Sequence, residues 1–173
     1  NATQSIDVQY FIFAADNTGL IATEHLLRAA QRGVKVRLLV DDTLAHGDEN
    51  IMLALSAHPN AEVRIYNPNI KIGKTFRAQA ANAISDFRGV NQRMHNKTFI
   101  VDGQAVITGG RNIADEYFDF NEHFNFRDRD VLLLGEAVPQ VSRSFEQFWQ
   151  DKRSARVGRL MGDAQPRIAK RFA

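Results

Sequence analysis

The stretch from Ile6 to Val40 constrains the fold more than any other, because it spells a β-strand, a helix and a second strand in succession. Ile6, Val8 and Tyr10 alternate before Phe11, Ile12 and Phe13 run on without a break, so a strand entering a buried sheet is predicted over Ile6–Ala14. Asn17, Thr18 and Gly19 punctuate. Thr23, Leu26, Leu27 and Ala30 then recur at helical spacing, and Gly33 offers a left-handed stop before the β-branched and leucine run Val34–Val40. A βαβ unit of this kind makes a right-handed crossover between parallel strands. Asp41 and Asp42 therefore fall at a strand's carboxyl end, where α/β folds place ligands, although loop and cap roles suit them better.

The alternation continues with a helix over Glu49–Ala57 and a strand carried by Ala61, Val63 and Ile65, which Pro68 interrupts. Phe76, Ala80, Ile84 and Phe87 suggest a further helix inside a connection punctuated by Gly and Asn. Thr98–Val101 and Ala105–Thr108 are short apolar runs joined through Asp102 and Gly103, the composition of a two-residue type I′ hairpin. Val131–Leu134 reads as the last strand. Val138, Val141, Phe145, Phe148 and Trp149 form a helical stripe whose natural use is core packing. The expected architecture is α/β, a mixed and largely parallel sheet flanked by helices.

At 173 residues and 44% hydrophobic content, one domain with a sizeable core is expected. Cysteine is absent, which excludes disulfides and thiolate metal sites. A formal charge of +2 is too small to establish a nucleic-acid partner, but its distribution is uneven. After Asp151, only Asp163 opposes Lys152, Arg153, Arg156, Arg159, Arg167, Lys170 and Arg171. Such a tail could touch phosphates, yet charge blocks of this kind are usually solvated. No apolar stretch approaches the roughly 20 residues that cross a bilayer, and the start at Asn1 carries neither an initiator methionine nor a signal peptide, as a fragment would.

Chemistry concentrates between Arg93 and Tyr117, RMHNKTFIVDGQAVITGGRNIADEY. His95 and Lys97 stand one residue apart, so an extended backbone turns a base or nucleophile and a cation to the same face. With Asp102 and Gly103 as a two-residue turn, His95 falls opposite Gly110 and Lys97 opposite Thr108. Glycine opposite His95 would leave room for a substrate. Asn112, two residues on, could donate its amide to an anionic oxygen beside the ammonium, completing a phosphate cradle. Asp102 lies roughly 16 Å along an extended strand from Lys97, so a turn or scaffold role is expected of it.

His95, Lys97, Asp102, Gly109, Gly110 and Asn112 match HxKx4Dx6GGxN, and on this pattern the chain resembles the phospholipase D superfamily. The segments IDVQYFIFAADNTG, AAQRGVKVRLLVDD and RDVLLLGEAVPQVSRSFEQFWQ extend the likeness to the amino-terminal half of bacterial cardiolipin synthase-like proteins, the C-type branch in particular. The resemblance implies a phospholipase D-like half-domain over residues 1–151, with residues 152–173 a basic linker or tail toward a second half. Family members carry two such motifs, and His25, His46, His58 and His123 lack a lysine two residues later. A second motif is then expected after Ala173 or in a homodimer partner.

The implied chemistry is two-step displacement at phosphorus, with His95 as nucleophile and the other motif's histidine as acid and base. Lys97 and Asn112 would stabilise charge on the non-bridging oxygens, with Gly109 and Gly110 bordering the substrate. Asp128 would orient the histidine, or serve simply as a charge at a strand start. Neither a metal nor a cofactor is called for. The paired glycines, where nucleases of the superfamily show Gly-Ser, favour lipid over DNA, with phosphatidylglycerol as the type of substrate. Phe118, Phe120, Phe124 and Phe126 could line an acyl-chain entrance, touch a membrane surface or fill a core. The expectations are thus a transphosphatidylase at the bacterial envelope, with a hydrolytic phospholipase D, a superfamily nuclease or a non-catalytic phosphate- or partner-binding half as alternatives.

Overall fold

The computed structural model describes residues 1–42, 49–68 and 93–161. The helix suggested by Phe76, Ala80, Ile84 and Phe87 and the tail residues Arg167, Lys170 and Arg171 lie outside the described residues.

The βαβ reading holds. Strand β1 (Ser5–Tyr10), helix α1 (Asn17–Gln31), β2 (Lys35–Asp41), α2 (Glu49–Ser56) and β3 (Ala61–Tyr66) follow in order, and β1, β2 and β3 pair in parallel. The first strand ends at Tyr10, four residues short of the expected Ala14. Phe13 keeps only an isolated parallel bridge to Ile113. Asn17, Thr18 and Gly19 are not punctuation but the first turn of α1, because Asp16 caps it by accepting the Gly19 N–H at 3.0 Å. Gly33, at φ +94°, takes the left-handed conformation expected after a helix.

Among the described residues one seven-stranded sheet forms, ordered β6-β5-β4-β1-β2-β3-β7, where β4 is Thr98–Val101, β5 Ala105–Gly109, β6 Asp130–Leu134 and β7 Ser154–Arg156. It is mixed as expected but not largely parallel: of its six strand pairings β1–β2 and β2–β3 run parallel, while the β4–β5 hairpin, β6 and β7 add antiparallel strands on both flanks. Helices α1 and α2 cover one face with α4 (Val157–Met161), burying Leu26, Ala30, Leu53 and Leu55 against Val8, Val36 and Leu38. The other face is covered by α3 (Val138–Gln150), whose stripe of Val138, Phe145 and Trp149 packs on Leu39, Ile100 and Val106.

Two boundaries differ from expectation. Residues after Asp151 do not leave the domain at once: β7 pairs antiparallel with β3, and Val157 is buried in the core beneath α2. The β4–β5 hairpin has Asp102 and Gly103 at φ +52° and +62°, closed by Gln104 N–H on the Val101 carbonyl at 2.9 Å, as a type I′ turn requires. Gln104 nevertheless remains in the connection, so Thr98, not Lys97, stands opposite Thr108. The expected pairing of His95 with Gly110 is displaced accordingly. Burial explains the shift: the observed register sets Ile100 against Val106, both about fully buried, and a slip of one residue would turn one of them outward.

Candidate active site

His95 lies in an irregular segment, residues 93–97, that enters β4, and the polar end of β2 fixes where that segment runs. The buried Asp41 carboxylate accepts the Met94 N–H at 2.8 Å and an Arg93 guanidinium N–H at 3.1 Å. Met94 is itself buried, its sulfur 3.0 Å from the Gln9 amide nitrogen. Asp41 thus serves as a tether at the strand's carboxyl end. With its neighbour anchored, His95 is presented at the surface.

Lys97 is 6% exposed, and its ammonium turns back onto His95. Nζ donates to the His95 carbonyl at 2.8 Å and lies 3.2 Å from Nδ1. Burial lowers the Lys97 pKa, and the nearby Asp128 carboxylate opposes that shift. The benzene ring of Phe11, one residue beyond β1, touches both groups. Its centroid is 4.6 Å from that of the His95 ring, with the planes inclined at 42°, and 5.5 Å from Lys97 Nζ.

Asn112 is buried and is held by the peptide that follows Phe11. Its Oδ1 accepts the Ile12 N–H at 3.0 Å, and since a backbone N–H can only donate, the amide's orientation is fixed with its NH₂ left to donate elsewhere. The loop beyond it is tied to the start of α1. Asp115 accepts from Thr18 N–H, Thr18 Oγ1 and the Asn17 side chain, and its own N–H donates to Asp16 at 2.6 Å. These bonds hold its carboxyl below the usual range despite the opposing effect of burial.

The two glycines are occupied positions rather than open ones. A Cβ on Gly110 would collide with the carboxylate of Asp128, and one on Gly109 with the Arg129 carbonyl and the carboxylate of Asp130. The room expected opposite His95 is therefore filled by an acid. Asp128 accepts the Arg129 N–H at 2.9 Å, and its influence is felt at Lys97, while the nitrogen of His95 that it was expected to orient faces the lysine instead. Asp130 pairs across β6 with Gly109 and accepts from Arg111 N–H at 3.3 Å.

Asp102 stands at the far end of β4 from His95. Its carboxylate gathers the N–H groups of Ser5, Gln4 and Thr3 at 2.8–2.9 Å and the Thr3 hydroxyl at 3.1 Å, which depresses its pKa to about 2. The structure therefore links His95 to Lys97, Lys97 to Asp128 and Asp128 to Gly110, ties Asn112 to the peptide that follows Phe11, and sets Asp102 apart. Phe11 and Asp115 escaped the sequence reading as site residues, whereas Asp41, read there as a loop or cap residue, tethers the backbone of Met94. Phe11 sits in an apolar run with nothing to distinguish it, whereas Asp115 could have been matched to the exposed donors of the first turn of α1.

A family model described as cardiolipin synthase, PLD-like domain, matches residues 1–149. Cardiolipin synthase C of Escherichia coli strain K12 is 39% identical over 172 residues, covering 99% of this chain and 35% of that protein. The chain spans about a third of the length of the curated relatives it matches. Among solved structures, the phospholipase D family member NUC from Salmonella typhimurium is similar at a TM-score of 0.57 and 17% identity, over 90% of this chain and 82% of that one. NucT from Helicobacter pylori is similar at 0.60 and 15% identity, over 90% and 83%. At these identities the two structures speak for the fold.

Proposed function

The chain belongs to the cardiolipin synthase, PLD-like domain family, and from that premise we propose that it is one half of a phospholipid phosphatidyltransferase whose nucleophile is His95. The observation that carries the proposal is the pair in which Lys97 Nζ lies 3.2 Å from His95 Nδ1 against the ring of Phe11, with the buried amide of Asn112 held by the next peptide N–H, that of Ile12. With Nδ1 facing the lysine, Nε2 is the nitrogen left to meet a substrate. A phosphodiester oxygen draws Lys97 off Nδ1; solvent then takes the Nε2 proton and returns one to Nδ1, which frees the Nε2 lone pair. Nε2 forms a bond to phosphorus as the bond from phosphorus to the departing alcohol breaks. A histidine from a second half protonates that alcohol. The same group then deprotonates an incoming hydroxyl, whose attack breaks the N–P bond and restores His95. Lys97 and the Asn112 NH₂ hold the non-bridging oxygens throughout. Asp128 acts through Lys97, keeping a cation charged in a partly buried place. Asp102 is structural, joining the β4–β5 turn to the start of β1.

The second half has a surface to meet. Beyond the cover of α1 and α2, the same sheet face continues as Ile107, Leu132 and Leu134, 44%, 63% and 64% exposed, on the strands that end beside Gly109 and Asp130. A partner half seated there would bring its own residues up to His95. That half would come from a longer protein of the length of its relatives, of which this chain spans about a third, or from a second copy of this chain. Phe118, Phe120, Phe124 and Phe126 are also exposed, and they offer an apolar approach for acyl chains at a membrane surface. Among the described residues no helix is long and apolar enough to cross a membrane.

Thin-layer analysis of products from phosphatidylglycerol vesicles tests the proposal in the longer protein. Cardiolipin and glycerol are expected. Phosphatidic acid and glycerol without cardiolipin would mean that water is the acceptor, and no turnover with a full complement of both halves would overturn the enzymatic reading.

A further inference from the structure

We propose that Phe11 is a positioning residue of this site, an aromatic platform that orients the His95 ring and stabilises its cationic form beside Lys97. The proposal rests on the histidine chemistry above and deepens it. Phe11 is the junction of the cluster: its ring contacts the imidazole at 4.6 Å and the ammonium at 5.5 Å, and the next peptide N–H, that of Ile12, holds Asn112. The residue is neither in β1 nor in the main core; Phe13, two residues on, is the buried one. An aliphatic side chain would serve equally well if filling space were its whole task.

What an aliphatic side chain lacks is a π face. The negative face of a benzene ring attracts cations, most strongly where water is partly excluded. His95 needs that attraction more than an ordinary surface histidine does, because Lys97 Nζ stands 3.2 Å from Nδ1. When Nε2 bonds to phosphorus and Nδ1 keeps its proton, the ring bears positive charge next to the ammonium, and the shared face of Phe11 offsets part of their repulsion. The tilted contact also limits rotation of the ring, keeping Nδ1 toward the lysine and Nε2 outward.

The charged groups of the neighbouring elements are Lys97 and Arg93 on the histidine's own segment, Asp41 at the end of β2, and Asp128 and Asp130 at β6. Substitution of Phe11 leaves all of them in place. The test follows the His95 ring protons by NMR through a pH titration of this chain, comparing the parent with Phe11→Leu, Phe11→Met and Phe11→Tyr. The titration midpoint is expected to fall by about half a pH unit, threefold in protonation constant, in the leucine and methionine variants. The tyrosine variant should keep the parent's midpoint. In the longer protein, Phe11→Leu should lower kcat by about the same threefold factor and leave KM unchanged.

An unmoved midpoint in both aliphatic variants, with melting temperatures like the parent's, would overturn the proposal, as would an equal fall in Phe11→Tyr. Phe11→Met fills a similar volume, so it keeps the test open should the leucine variant fold poorly. A midpoint that shifts as expected in a protein whose longer form never carries phosphorus on His95 would leave Phe11 in its positioning role and refute the phosphohistidine route instead.

Discussion

Two residue-scale arrangements, one at the site and one at the far end of β4, can each be probed by itself. Gly110 is required because the Asp128 carboxylate lies where its side chain would be. Gly110→Ala should cost about 1–3 kcal/mol in denaturant unfolding, the usual price of forcing atoms into a filled space. Adding Asp128→Gly should recover much of that loss, since the colliding group is gone; a double variant no better than the sum of the two would refute the contact. Asp102 offers a pH test. Its carboxylate, held to about pKa 2 by the N–H groups of Ser5, Thr3 and Gln4, contributes stability that is fully present above the ordinary carboxyl range and is lost as pH falls toward 2. Asp102→Asn should therefore melt lower than the parent at pH 7, and the gap should close between about pH 4 and pH 2. A gap that persists at pH 2 would show that the ionised carboxylate is not its source. The closeness of Lys97 to His95 was legible at this scale because a spacing of two residues fixes a shared face locally. The place of Asp128 was not, since it depends on the β5–β6 pairing that folds residues 128–130 over two glycines.

At the scale of elements, the turn chemistry of Asp102 and Gly103 was readable and the register was not. Local composition fixes two positive φ values, but what decides the pairing is elsewhere. Ile100 and Val106 must both face α3, and Asp102 must reach the amides of residues 3–5. Gln104 is the extra residue that lets both conditions hold. Its deletion should slip β5 by one position, turn Val106 away from Phe145 and abolish the cooperative thermal transition. A variant that melts at the parent's temperature would mean that the hairpin tolerates either register. The same limit explains the first strand. Phe11, Ile12 and Phe13 continue the apolar run, yet the chain leaves the ladder after Tyr10 because Ile12 gives its N–H to Asn112. Function and periodicity compete at that point, and a period-based reading follows only the second.

For the whole molecule, the uneven cover of the sheet is the governing feature. Helices bury both faces of its parallel centre, while Ile107, Leu132 and Leu134 stay exposed on its β5–β6 flank. Leu132→Glu should change the stability of this chain by no more than about 0.5 kcal/mol, as surface substitutions do. In the longer protein it should weaken the association of the halves and lower turnover roughly tenfold, the effect of about 1.4 kcal/mol at an interface. Unchanged turnover would place the partner on another face. No single chain's sequence displays this surface as an interface, because alternating apolar residues read the same whether a helix or another domain covers them.

The phosphohistidine is the central claim, and direct trapping tests it most closely. The longer protein is mixed with phosphorus-labelled phospholipid, quenched in denaturant within one turnover, and the labelled peptide is mapped. The account predicts label on His95, none in His95→Ala, and retained label when the histidine of the second motif is replaced. Label that persists in His95→Ala and vanishes with the second histidine would reverse the roles and contradict the assignment.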